Sequence, residues 1–353
     1  RRSPSGRSSS GTITAWIGWS SVGPRPLYRD PNLNVIFGIT LLAVMGVSSV
    51  APVFPSVAQA LDIPPEAVGL LITVFTLPGI FLTPVLGILA DRFGRKQVLV
   101  PALLLFSFAG GACALARDFE SLLILRFFQG VGAASLGSLN ATLIGDLFPG
   151  PRRVEAMGYN ASVLSLGTAV YPALGGALAL FGWYVPFGLP FLGLGVALVV
   201  LFRLDAVAVG VESGFLRYLK EALGGMASRK IVGLFLVSML TFIVLYGAYS
   251  TFIPLLLADR FDSPPWAIGL IMTVGSLSTA ATASRLGSLG RRFREEDLII
   301  SAFALYAVSF LAIPLLPGHW WVAVPVSLFG VAQGLNYPVV MTLLAGLAPT
   351  CLL

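Results

Sequence analysis

A few polar or charged residues lie inside strongly apolar stretches of this chain. Their side chains are of types that bind other groups through hydrogen bonds and do not form covalent intermediates. Arg126 lies in RFFQGVGAA three residues before Gln129, so the two side chains share one face of a helix. A charged side chain in an apolar medium is costly, which predicts a polar partner and a water-filled cavity beside Arg126. The alternative is that its long side chain extends to the outer surface, about two helical turns away. The other polar groups of this kind are Asn140, Gln333, Asn336 and Tyr337. These six residues are the predicted lining of a central cavity, although each could instead bond a neighbouring helix.

A second group of charged residues lies in GILADRFGRK. Asp91 can pair with Arg92 or Arg95, and Arg95 and Lys96 can hold anionic lipid headgroups. Gly94 permits a tight turn, and Gly87 lets a neighbouring helix approach closely because it has no side chain. The pattern predicts a short charged loop between two packed helices.

The sequence contains little that would support an enzyme. None of its 16 acidic residues lies well inside an apolar stretch, and the single histidine, His319, falls in a predicted loop. Its two cysteines, Cys113 and Cys351, are far apart. Paired carboxylates, a metal-ligand cluster and a nucleophile with its base are therefore not predicted, and neither is a cofactor.

Composition indicates a membrane protein. The chain is 56% hydrophobic and 11% charged, with a net charge of +6. Soluble proteins carry about 25% charged residues. Apolar segments long enough to cross a bilayer as helices recur along the sequence. We place them at 34–56, 66–88, 97–116, 120–145, 154–180, 183–203, 230–256, 266–286, 297–316 and 320–346.

The basic residues predict how these ten spans are oriented. With the N-terminus in the cytoplasm, 19 of the 22 Lys and Arg residues fall on the cytoplasmic side. The outer side then keeps only Arg117 and Arg260, and Arg126 lies within a span. Basic residues resist translocation, so the sequence predicts an integral protein of the cell membrane with a cytoplasmic N-terminus.

One stretch of the sequence occurs twice. DIPPEAVGLLITVFTL, from Asp62, and DSPPWAIGLIMTVGSL, from Asp262, are identical at nine of 16 positions. Pro55 and Pro254, and Gln129 and Gln333, occupy similar places at nearly the same separation. Six predicted spans separate the copies, and six is an even number. The copies therefore run through the membrane in the same direction, as a parallel repeat.

The repeat and the loop motif together resemble the major facilitator superfamily of secondary transporters. GILADRFGRK is similar to that family's loop G-x-L-a-D-R-x-G-R-K, and RFFQGVGAA resembles its R-x-x-Q-G-x-G motif. The resemblance implies that Asp91, Arg95 and an acid at the end of span four brace the outward-open state. Asp146 matches that acid.

The fifth predicted span resembles the drug:proton antiporter branch of the family. That branch carries G-x8-G-x3-G-P-x2-G, and Tyr171 here replaces the glycine before the proline. A proline with small residues around it suits a helix that bends and packs closely. The matching residues are Gly158, Gly167, Pro172 and Gly175, and Gly176 follows them in the predicted antiporter-like helix.

The resemblance implies an all-α polytopic membrane protein of two parallel six-helix repeats, truncated after the tenth helix. The predicted divisions are a flexible cytoplasmic tail 1–29, an N-terminal half 30–204, a central cytoplasmic loop 205–228 and a C-terminal half 229–353. We expect efflux of small amphipathic compounds by a monomer surrounded by membrane lipid, with protons as the candidate coupling ion and no nucleic-acid partner. Two alternatives stay open: transport of a neutral metabolite or sugar, and a shortened, inactive transporter.

Overall fold

A computed structural model describes residues 27–204 and 229–347, and these residues form ten helical segments long and apolar enough to cross a membrane. We number the segments as spans 1 to 10: Pro31–Ala60, Pro65–Phe93, Arg95–Leu115, Phe119–Leu147, Pro151–Phe181, Val185–Arg203, Ile231–Phe261, Pro265–Leu289, Glu295–Leu315 and His319–Leu344. The predicted all-α fold with ten spans is confirmed. The predicted central loop, and the predicted tail up to residue 26, lie outside the described residues.

Three spans are interrupted. Span 1 consists of the α-helices Pro31–Ser48 and Phe54–Ala60 with a 3-10 turn, Ala51–Val53, between them. Span 4 divides into Phe119–Ala133 and Leu136–Leu147. In span 7, a π-helix, Ile243–Phe252, joins Arg229–Phe242 to Ile253–Phe261. The break in span 1 follows from Pro52 and Pro55, which lack the N–H that continues a helix.

The remaining spans each contain one main α-helix, several of them extended by 3-10 turns. Their α-helices are Leu70–Phe93, Arg95–Ala112, Pro151–Leu178, Leu192–Arg203, Pro265–Leu289, Glu295–Ala312 and Ala323–Leu347. The side chain of Asp118 caps the start of span 4, where its carboxylate accepts from the backbone N–H and the hydroxyl of Ser121, both at 2.8 Å. These hydrogen bonds hold the pKa of Asp118 below its usual value.

The tandem repeat predicted from the sequence is visible in the backbone. Asp62 and Asp262 are the two described non-glycine residues with positive φ, at 50° and 48°, and both follow the end of a span. A Cβ built on Gly130 would overlap the carbonyl oxygen of Phe75, and one built on Gly330 would overlap that of Gly275. Each residue of the second contact lies 200 positions after its counterpart, so the halves repeat their helix packing as well as their sequence.

Because short turns join successive helices, neighbouring spans run antiparallel, and the loops after spans 2, 4 and 8 lie at one end of the bundle. We call it the basic end, since it carries Arg92, Arg95, Lys96, Arg152, Arg153, Arg291 and Arg292. At the opposite end, one apolar core joins the halves, with Phe54 and Val57 of span 1 packed in the same cluster as Ile253, Leu257 and Ile268.

Candidate transport pathway and gate

Spans 5 and 8 form the tightest seam between the two halves, near the end opposite the basic loops. A Cβ at Gly176 would overlap the carbonyl oxygen of Pro265, and one at Gly269 would overlap that of Pro172. Gly175 approaches the carbonyl oxygen of Ser49 in span 1 in the same way. Backbone therefore lies directly on backbone here, which only glycine permits at these positions.

The same two helix faces separate toward the basic end. Gly158 precedes Gly176 by 18 residues, five full turns, so both glycines point the same way from span 5. Gly287 follows Gly269 by 18 residues in span 8. A Cβ built on Gly158 or Gly287 would meet nothing within 4 Å. Gly158 and Gly287 each lie about 27 Å along their helix from the seam, so we infer that the two helices touch at one end and separate toward the other. We call the space between their diverging parts the cleft.

These positions place the predicted antiporter-like residues along one helix. Pro172, Gly175 and Gly176 form the closed seam, Gly158 lies at the open end, and Gly167 packs against Leu41 of span 1. Tyr171, the departure from the family pattern, is half-buried with its ring beside Gly167. Pro172 also leaves one backbone carbonyl of span 5 without its usual helix donor.

The charged loop after span 2 ties four spans of the first half together at the basic end. Arg95 forms ion pairs with Asp91 and, over 3.1 Å from Nε, with Asp146 at the end of span 4. Lys96 donates from Nζ to the carbonyl oxygen of Leu204, 3.1 Å away, at the end of span 6. Gly94 makes the turn with φ of 102°.

Two other residues of the motif have no such contacts in the described structure. Arg92 lies with its guanidinium over the ring of Phe93, 5.5 Å from the centroid. A Cβ at Gly87 would meet nothing within 4 Å, so the expected close helix approach at Gly87 is absent from the described residues. The structure brings Asp91, Arg95 and Asp146 together as the resemblance implies, and their effect on the outward-open state stays a prediction.

Replacing Asp91 by Asn should leave membrane insertion intact and slow transport. The Asp91 side chain is 48% exposed, so losing its ion pair should change the free energy of unfolding by less than about 1 kcal/mol. Expression, Tm and transport rate of Asp91→Asn measure these effects. Glu296→Gln is the matched control, because Glu296 pairs with Arg294 over 3.1 Å in a fully exposed setting. Normal transport by well-expressed Asp91→Asn would show that the loop only anchors the protein.

Arg126 lies in the interior of the first half, where backbone oxygens surround it. Its side chain is 1% exposed. Nη1 donates to the carbonyl oxygen of Gly46 at 2.8 Å and to Oε1 of Gln129 at 2.9 Å, and Nε donates to the carbonyl oxygen of Leu71 at 3.3 Å. The guanidinium lies 4.8 Å from the ring centroid of Phe75. Arg126 is thus enclosed by protein groups, and its place beside a water-filled cavity stays a prediction.

The other predicted cavity residues are mostly engaged between helices. Asn140 is buried and donates to Thr40 of span 1, and Asn336 donates to Thr241 of span 7 over 2.7 Å. Gln333 accepts from the hydroxyl of Tyr306. Tyr337 is 37% exposed, with its ring edge-on to Phe242 at 6.3 Å. The structure does not gather the six residues on one wall, and a cavity role for them stays a prediction.

Four polar residues in these contacts were missed in the sequence: Thr40, Asn160, Thr241 and Tyr306. Hydroxyl side chains are frequent in all the spans, and no motif distinguishes these from the others. The tandem repeat could have identified two of them. In each half, an Asn in the fourth helix donates a hydrogen bond to a Thr in the first helix.

A helical bundle of repeated halves that are closed together at one end and separated at the other is the architecture of a secondary transporter. The sequence profile of the Major Facilitator Superfamily matches residues 36–350. The chain belongs to that family, and transporters of this family are not enzymes.

Curated relatives include an exporter and a drug-resistance protein. The Bacillibactin exporter of Bacillus subtilis is 34% identical over 163 residues, which are 44% of this chain and 40% of that protein. Quinolone resistance protein NorA of Staphylococcus aureus is 24% identical over 299 residues, which are 83% of this chain and 75% of NorA. The chain thus spans less than half of the first of these relatives.

Solved structures show the same fold. A bacterial homologue of the human lysosomal transporter Spinster, in an inward-facing and unoccupied conformation, superposes with a TM-score of 0.74 at 20% identity. That match covers 92% of this chain and 79% of the other. The nucleoside transporter NupG superposes with a TM-score of 0.73 at 14% identity, over 90% and 86% of the two chains.

Proposed function

We propose that this chain exports small amphipathic compounds across the cell membrane by alternating access, as a monomer. The divergence of spans 5 and 8 carries the proposal, because helices that touch at Gly176 and separate at Gly158 are arranged as the arms of a rocking pair. The basic end faces the cytoplasm, since Lys and Arg resist translocation. In this conformation the cleft is then open to the cytoplasm and closed to the outside.

Relatives and residues both support an amphipathic cargo. The two relatives are named for export of bacillibactin and for quinolone resistance. The second half contributes an exposed aromatic surface, in which the rings of Phe242 and Tyr246 stack at 5.9 Å and Tyr337 meets Phe242 edge-on. Aromatic and aliphatic side chains with a few polar groups suit compounds of mixed polarity.

Protons are the proposed coupling ion, on the likeness of span 5 to the antiporter branch. The candidate acids for proton exchange are Asp91 and Asp146, which share Arg95 at the basic end. Two carboxylates on one guanidinium form a group whose charge balance changes when one of them is protonated. A neutral metabolite or sugar remains the second candidate cargo, because no acid lies deep in a span.

Dye accumulation in cells expressing the chain tests the proposal. We expect several amphipathic dyes to accumulate less than in cells with an empty vector, and an uncoupler of the proton gradient to remove the difference. Unchanged accumulation across a broad panel, with the protein present in the membrane, would contradict multidrug export. Uptake of labelled sugars by vesicles containing the chain would then favour the alternative cargo.

A further inference from the structure

The hydroxyl of Thr40 joins three helices of the first half through polar side chains. Thr40 in span 1 accepts a hydrogen bond from Nδ2 of Asn140 in span 4. Its hydroxyl lies 2.5 Å from Oδ1 of Asn160 in span 5 and 3.1 Å from the carbonyl oxygen of Ile36, and the shorter distance assigns its single proton to Asn160. Thr40 and Asn140 are buried, whereas Asn160 is partly exposed. One member of this junction is therefore accessible from outside the helix packing.

The second half contains the corresponding pair without an exposed member. Nδ2 of Asn336 in span 10 donates to Oγ1 of Thr241 in span 7 over 2.7 Å. Asn336 is 0% exposed and Thr241 is 2% exposed. Spans 7 and 10 are the first and fourth helices of their half, as spans 1 and 4 are of theirs. The Asn–Thr bond is thus a structural feature of both halves, and Asn160 is the addition that distinguishes the first.

Asn160 lies at the border of the cleft. It precedes Pro172 of the closed seam by 12 residues, about 18 Å along span 5 toward the basic end. At 3.6 residues per turn, Ala161 and Leu164 project between the edge that carries Asn160 and the edge that carries Pro172. Ala161 is exposed and Leu164 is 38% exposed. The strip of span 5 beside Asn160 therefore faces the gap between the halves.

The hydrogen bond with Thr40 determines which side of the Asn160 amide group remains free. Because Oδ1 accepts from Thr40, the two N–H groups of Nδ2 are the free edge, and they make no hydrogen bond with any residue in 27–204 or 229–347. Oδ1 of Asn140, bonded to the same hydroxyl through its own amide, is a buried acceptor without a partner in that part of the chain. The accessible group of the junction is therefore the uncharged donor of Asn160, because the acceptor of Asn140 is buried.

We propose that Asn160, oriented by Thr40, is a substrate-binding residue of the cleft that donates a hydrogen bond to an uncharged oxygen on an amphipathic compound. A phenol, an alcohol or a carbonyl would meet this requirement. The inference rests on the proposed export function and names the chemical group that the transporter selects.

Two fluorescent bis-benzimide dyes test the inference, one with a terminal phenol and one with an unsubstituted phenyl ring. We expect the full chain in lipid nanodiscs to bind the phenol dye more tightly. Asn160→Leu, which keeps the side-chain size, should weaken binding of the phenol dye about three- to tenfold and leave the phenyl dye within about twofold. That loss corresponds to one uncharged hydrogen bond.

Variants of the two threonines separate orientation from packing. Thr40→Val should reduce the preference for the phenol dye, and Thr40→Ser, which keeps the hydroxyl, should restore it. Thr241→Val removes the equivalent hydroxyl in the second half and should leave the preference unchanged, even where it lowers Tm.

Four results would overturn the inference. Equal weakening of both dyes by Asn160→Leu would show a packing role, and loss of the preference in Thr241→Val would show a general effect of lost stability. Equal affinity of the unmodified chain for the two dyes would overturn it while leaving export in place. Binding of neither dye would contradict the proposed export of such compounds, and this inference with it.

Discussion

Gly176→Leu should force the closed seam open and largely abolish transport. A side chain at this position would overlap the backbone of span 8, where the Cα of Trp266 lies 3.0 Å from an added Cβ. Backbone cannot rotate away as a side chain can, so spans 5 and 8 must separate. Overpacking of this kind costs about 1–3 kcal/mol, which changes the ratio of two conformations by a factor of roughly 5–150.

Distances between spin labels measure this change. Glu66→Cys and Asp259→Cys place one label in each half, on exposed residues at the closed end. In lipid nanodiscs we expect Gly176→Leu to lengthen the distance between them. Gly158→Leu carries the same side chain on the same helix face, where nothing lies within 4 Å, and should leave that distance unchanged. An unaltered distance in Gly176→Leu would show that the seam does not hold the closed state.

Arg126→Leu should be the most destabilising single substitution among the predicted site residues. It removes the donors to two buried carbonyl oxygens, Gly46 and Leu71, and to the amide oxygen of Gln129. Loss of these hydrogen bonds to buried acceptors, together with the lost packing against Phe75, should lower the free energy of unfolding by about 2–5 kcal/mol. Arg126→Lys should recover only part of this, because an ammonium lacks the planar fork of donors.

Cys113 provides the measurement, since its thiol is fully buried in the described structure. A thiol-reactive dye reports unfolding when Cys113 becomes accessible, with Cys351→Ser in the background to remove the second thiol. Arg117→Leu is the control, because Arg117 is exposed in a loop and its loss should leave Tm unchanged. Equal values of Tm for Arg126→Leu and Arg117→Leu would show that the buried hydrogen bonds contribute little.

The contrast between Arg126 and Asp91 shows how far sequence reasoning reaches. Asp91 and Arg95 are four residues apart across a tight turn, so local geometry alone brings them together. Arg126 bonds to atoms 55 and 80 residues away. The sequence indicated the charge of Arg126, its cost in an apolar medium and its neighbour Gln129. Its distant partners are main-chain carbonyls, which every residue has and which no sequence motif identifies.

The pattern of apolar and charged residues in the sequence is enough to predict most of the architecture. The lengths of the apolar segments predicted the ten spans, because a helix needs about 20 apolar residues to cross a bilayer. The repeat at a separation of 200 residues predicted two halves that run in the same direction, because an even number of spans lies between the copies. Tertiary packing decided the rest. Gly158 and Gly176 are both glycines on the same face of span 5, yet Gly158 has no neighbouring atoms at its Cβ position whereas Gly176 lies against the backbone of Pro265. That difference depends on the angle between two helices, which is set by all the contacts of both halves together.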